Sequence, residues 1–129
     1  PRHRLGESAM TPDPSLSTAL LVGLGGTLGA LARFGVDTVL GGPRGVFVVN
    51  VLGSVALGAL VTAPVDGALL LVFGTGFCGA FTTFSSFAVG VVERARTGER
   101  LVAVGYALWM LVTALTGVGL GGSVVNALC

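Results

Sequence analysis

Apolar residues run without alternation through four windows of the chain, and polar residues collect between them. Residues 16–40 hold two charged side chains, Arg33 and Asp37, both near the end of the window. Residues 46–63, 68–92 and 101–120 hold none, and weaker apolar sequence continues the last window to Leu128. About 20 apolar residues suffice to cross the hydrocarbon core of a bilayer as a helix, so each window predicts one transmembrane helix. The runs are continuous, which favours helices over the alternating strands of a membrane barrel. Turn chemistry marks the breaks: Gly41-Gly42-Pro43-Arg44, Pro64-Val65-Asp66-Gly67, and the charged run from Glu93 to Arg100. The expected fold is all-α and integral to the membrane. A disordered polar tail is expected over residues 1–15 and a four-helix transmembrane unit over residues 16–129. The chain opens on Pro1, and Met10 is an alternative natural start. No secretory signal peptide is expected, because nothing after the first window reads as a soluble mature domain.

Composition strengthens this reading. Of 129 residues, 53% are hydrophobic and 10% charged, with a mean hydropathy of +0.93. Soluble domains carry about 25% charged residues, so a soluble enzyme, a disordered chain and a basic nucleic-acid binder are all excluded. The net charge is +1, and all seven basic residues are Arg. The two cysteines form no framework, since Cys78 lies in an apolar run and Cys129 is the last residue. The sole histidine is His3, and neither CxxC nor HExxH occurs, so metal-centre and nucleophile chemistry have no residues to use.

Helices in lipid pack through small residues. Gly25 and Gly29, Ser54 and Gly58, and Gly117 and Gly121 have the four-residue spacing that close approach needs. Four short helices leave little room for a pore inside one subunit. A conduction path is therefore expected between subunits, in an oligomer.

Polar side chains inside the apolar windows need partners. Asn50 and Ser54 share one face of the second window. Asn50 reads either as an interhelical hydrogen bond or as an amide donor facing an anion path. The third window is the unusual one: Gly74-Thr75-Gly76-Phe77-Cys78-Gly79-Ala80-Phe81-Thr82-Thr83-Phe84-Ser85-Ser86-Phe87. Glycines followed by a Thr/Ser run weaken a continuous helix, and an interruption is expected between Gly79 and Thr83. A broken helix frees carbonyls that suit a hard cation such as Na+, and N–H groups and hydroxyls that suit a small anion. Phe84 and Phe87, three apart, share a face, and aromatic edges are positive. Arg33 reads as a snorkelling residue or as an anion attractant. Tyr106 and Thr113 share a face of the fourth window, and Trp109 reads as an interfacial anchor.

Taken together these motifs are recognisable. The first-window stretch from Gly25 to Phe34, the second-window stretch from Gly45 to Ser54 and the third-window stretch from Gly76 to Phe87 resemble the motifs of the Fluc (CrcB) family of fluoride channels. Tyr106 falls where that family often has a fourth-helix tyrosine. The resemblance covers essentially everything after the tail. It implies four-helix channel subunits that pair antiparallel in the plasma membrane, two pores along the interface, and passive export of fluoride. It further implies a structural Na+ at the dimer centre, held by carbonyls of Gly79 and Thr82. Fluoride would meet the ring edges of Phe84 and Phe87 and the amide of Asn50. Ser85, Ser86 and Tyr106 would extend a polar track, and Arg33 would lie at the vestibule. The chain departs from the family where serines are common, at Ala88, Met110 and Ala114. That departure raises a rival reading, a non-conducting or complementary half of a heteromeric pair. A second rival, a small multidrug-type exporter, needs a membrane-embedded carboxylate, for which Asp37 is the candidate. The loops that follow the first and third windows hold Arg44, Arg94, Arg96 and Arg100, so insertion with both termini outside is expected. An antiparallel partner would then be either a second copy or a homologous second subunit.

Overall fold

The computed structural model describes residues 13–129. The expected tail therefore falls mostly outside the described residues, together with His3 and Met10. Pro14 and Ser15, which had been grouped with the tail, open the first helix. The local chemistry explains the start: the Asp13 carboxylate accepts from the Ser15 N–H at 3.0 Å and the Ser15 hydroxyl at 2.8 Å, and Pro14 occupies a position that needs no N–H.

Four helices long and apolar enough to cross a membrane follow: α1 (Pro14–Leu40), α2 (Gly42–Thr62), α3 (Gly67–Arg96) and α4 (Arg100–Leu128). They overlie the four apolar windows. The connections are tighter than expected. Only Gly41 separates α1 from α2. It and Gly42 take φ of 60° and 51°, a left-handed reversal that suits glycine, while Pro43 sits in the first turn of α2. The charged run from Glu93 to Arg100 is not one loop. Helix α3 continues to Arg96, with Arg94 and Arg96 in its last turn, where positive charge complements the exposed carbonyls. Gly98, at φ 87°, turns the chain into α4.

The bundle is assembled from two close pairs, α1 with the first half of α3 and α2 with α4. Small residues set both. A Cβ on Gly25 would overlap the Val72 carbonyl, and one on Gly29 the Phe77 carbonyl. In the other pair, a Cβ on Gly58 would strike the Val118 carbonyl, and one on Gly121 the Val55 carbonyl. These are the backbone contacts that the glycine spacing predicts. The interior is small: Val49 is fully buried, and Val46, Cys78, Phe81, Ala103 and Met110 are the other buried apolar side chains among the described residues. Not more than 28% of any span's apolar window is buried within the chain. The remaining apolar surface suits lipid or another subunit.

Helix α3 is interrupted, as expected, and bent. Leu70–Cys78 is wound as a π-helix, a form found at functional sites, and Gly79–Phe81 adds one α-turn. Thr82 (φ −77°, ψ 163°) and Thr83 (φ −144°, ψ 115°) are extended, and the helix restarts at Phe84. The break falls on the threonine pair and not on Gly79, whose φ and ψ are helical. Glycine permits an irregularity without requiring one, whereas the Thr83 hydroxyl can cap the helix that restarts at Phe84.

Candidate functional site

The break is held open by side chains from three directions. From α2, the Asn50 amide clasps the Thr83 peptide. Its oxygen accepts from the Thr83 N–H at 2.8 Å, and its nitrogen donates to the Thr83 carbonyl at 3.1 Å. From the break itself, the Thr83 hydroxyl caps the second half of α3. It accepts from the Ser86 N–H at 3.2 Å, donates to the Ser86 hydroxyl at 3.1 Å, and lies 3.3 Å from the Ser85 hydroxyl. From α1, Arg33 donates to the Thr82 carbonyl at 3.4 Å. Arg33 is half-buried against the break, and the freed carbonyl explains why: a carbonyl off the helical ladder needs a donor. Gly53 leaves the space into which the Thr82 methyl packs.

The clamp has a second consequence. In an unbroken helix the Thr83 N–H would bond the Gly79 carbonyl. Here that N–H is given to Asn50, so Gly79 loses its helical donor. The Gly79 and Thr82 carbonyls therefore both stand off the regular ladder. Among the described residues no group of three or more His, Cys, Asp or Glu could hold a metal ion.

An open groove of about 650 Å³ runs beside the break. Asn50, Ser54, Thr75, Thr82 and Thr83 supply its polar atoms, and none of its lining residues is charged. Phe84, 79% exposed, and Phe87 form one wall with ring centroids 5.7 Å apart. Phe87 in turn stacks on Tyr106 at 5.8 Å. Phe73 and Phe77 lie outside the groove, and Phe77 stacks on Phe81 at 5.5 Å. Met110 and Ala114 line the groove from α4, so the departures noted in the sequence put apolar atoms on that wall.

Of the sequence-derived site residues, Asn50, Gly79, Thr82, Phe84 and Phe87 come together on the groove. Ser85 and Ser86 adjoin it through Thr83. Tyr106 belongs to a second groove and is linked to the first by the Phe87 ring. Arg33 reaches the break but not the groove lining. Two residues were missed by sequence reasoning. Thr83 is the hub of the hydrogen bonds, and its signal was legible as a capping residue just before a helical start. Arg94 lies 4.1 Å from the Tyr106 ring centroid, a pairing between two helices that no local pattern announces.

A four-helix integral membrane protein, with a broken third helix beside an uncharged groove of hydroxyl, amide and phenylalanine groups, has the form of a multi-pass membrane transport protein. The family model for CrcB-like protein, Camphor Resistance (CrcB), matches residues 20–122, and the chain belongs to that family. It is similar to Fluoride-specific ion channel FluC 2 of Natronomonas pharaonis, 49% identical over 83% of this chain and 93% of that protein. It is also similar to Fluoride-specific ion channel FluC 2 of Haloarcula marismortui, 43% identical over 87% of this chain and 97% of the relative. Fluoride-specific ion channel FluC of Gloeobacter violaceus is 41% identical, over 75% and 86%.

Proposed function

We propose that this chain is the subunit of a fluoride-selective channel that lets fluoride leave the cell passively across the plasma membrane. It is not an enzyme. The observation that supports this reading best is the uncharged groove at the clamped break, with Phe84 and Phe87 on its wall. Fluoride is small and strongly hydrated, so a path must replace its water with donors. The Ser86 hydroxyl, which accepts from Thr83 and keeps its own proton, the second N–H of Asn50 and aromatic edges donate without a full positive charge, which keeps binding weak enough for release. Asn50 serves first to hold the break, with one N–H left for an anion. Asp37 is exposed and lines no part of the groove, which argues against a proton-coupled multidrug exporter.

The groove is open on one side, and an antiparallel second subunit supplies the missing wall. A Na+ at the centre of that dimer fits the residues present: Gly79 and Thr82 of each subunit offer carbonyls that lie off the helical ladder. When bound, the ion supplies a fixed positive charge that neutralises these inward dipoles. Arg33, already on the Thr82 carbonyl, orients that peptide from the other side.

A second reading, the complementary half of a heteromeric channel, is supported by Met110 and Ala114 on the groove wall. The orientation bias favours it too. Arg44, Arg94, Arg96 and Arg100 all lie at the end of the bundle where α1 meets α2 and α3 meets α4. Fluoride efflux from liposomes containing this protein alone tests both. Rapid efflux supports a homodimeric channel. Efflux that appears only with a homologous second subunit supports the heteromer, and none in either case overturns the proposal.

A further inference from the structure

The second groove, about 440 Å³, lies where the end of α1, the start of α2, the end of α3 and α4 meet. Its walls are apolar, from Leu40, Pro43, Phe47 and Trp109, and two arginines, Arg44 and Arg94, line it as well. One aromatic pair and one of the two cations are fixed by contacts. The Phe47 and Trp109 rings stack nearly parallel, 9° apart with centroids at 6.2 Å. Arg94 is fixed over the Tyr106 ring and donates to the Gly90 carbonyl at 2.8 Å, which leaves most of its N–H donors unused. Arg44 is exposed at the first turn of α2.

From this arrangement we infer that the second groove binds one anionic phospholipid, with the phosphate on Arg44 and Arg94 and an acyl chain along Phe47 and Trp109. Charge complementarity selects the headgroup. The same end of the bundle carries Arg44, Arg94, Arg96 and Arg100 against Asp37, Glu93 and Glu99, so cations predominate there, and basic pockets between transmembrane helices hold anionic headgroups. The apolar walls select a lipid over a free phosphate, which would gain nothing from Phe47 or Trp109. Trp109 is 59% exposed, so its ring is open to an acyl chain running inward from the arginines.

Native mass spectrometry of the detergent-solubilised full chain, with phosphatidylglycerol or phosphatidylcholine of equal chain length, tests this. One phosphatidylglycerol per chain is expected to be retained in preference to phosphatidylcholine. Arg44→Gln and Arg94→Gln should each weaken retention about fivefold, while Arg96→Gln, outside the groove, should not. Arg94→Lys, which keeps the charge, guards against a folding defect at Arg94. Millimolar glycerol phosphate should fail to displace the lipid. Equal retention of the two lipids, equal losses for Arg96→Gln and Arg44→Gln, displacement by glycerol phosphate, or binding confined to monomers because a second copy covers the groove would each overturn the inference.

Discussion

Asn50 holds the Thr83 peptide by both its N–H and its carbonyl, at 2.8 and 3.1 Å. A side-chain amide thus replaces the backbone partners that Thr83 gives up where α3 breaks. In lipid, no water is available to do so, and the contact lets a broken helix persist inside a membrane bundle.

Asn50→Ala removes both bonds. At about 1 kcal/mol for each hydrogen bond, the loss of stability is expected to be about 2 kcal/mol. Asn50→Asp keeps the acceptor for the Thr83 N–H but loses the donor to its carbonyl, and a carboxylate beside the groove repels anions. Denaturation in detergent should therefore rank the variants wild type, Asp, Ala, while fluoride efflux should fall most in Asp. Efflux equal to wild type in both would remove Asn50 from the pathway.

Phe84 is largely exposed to the groove, so Phe84→Ile should cost little stability. Fluoride flux is nevertheless expected to drop by at least tenfold, because the aliphatic side chain has no positive ring edge. Phe87→Ile should act in the same direction and also disturb its contact with Tyr106. Phe73→Ile, outside the groove, is the control. Liposome efflux that survives both single changes at Phe84 and Phe87 would show that the rings do not line the path.

Thr83→Val keeps the shape and loses the cap, which is expected to cost about 1 kcal/mol. Thr83→Ser should restore most of it. Amide exchange at Ser85 and Ser86 reports the effect locally: faster exchange is expected in Val than in Ser.

Gly25→Val and Gly121→Val place side chains on carbonyls of the facing helices. Overpacking of this kind costs about 1–3 kcal/mol, and more where the backbone itself must move. Both variants should lose thermal stability, while Gly105→Ala, with open space around its Cβ position, should not. Tolerance of Val at Gly25 and Gly121 would mean that the helix pairs are looser than described.

A reporter fused after Cys129 should be found mainly outside the cell, because the arginines of the α1–α2 and α3–α4 turns favour the cytoplasm. Equal signal on both sides would support a homodimer that inserts in both orientations.

By itself, the sequence determined the four spans, since long apolar runs with at most two charges near one end leave a chain no soluble alternative. It also determined four of the glycines that make close contacts, Gly25, Gly29, Gly58 and Gly121, because four-residue spacing is fixed by helical geometry, though not Gly53 or Gly76. It placed the break between Gly79 and Thr83, where it falls. Only the tertiary structure decided what that break rests on. Thr83 and Asn50 are 33 positions apart, Arg33 and Thr82 are 49 apart, and Arg94 meets Tyr106 across a turn. Hydrogen bonds and ring contacts act over a few ångströms of space, so no periodicity along the chain encodes their partners. Asn50 could be read locally as a helix-to-helix bond or an anion donor, and the fold of α2 against α3 gives it the first task while leaving one N–H for the second.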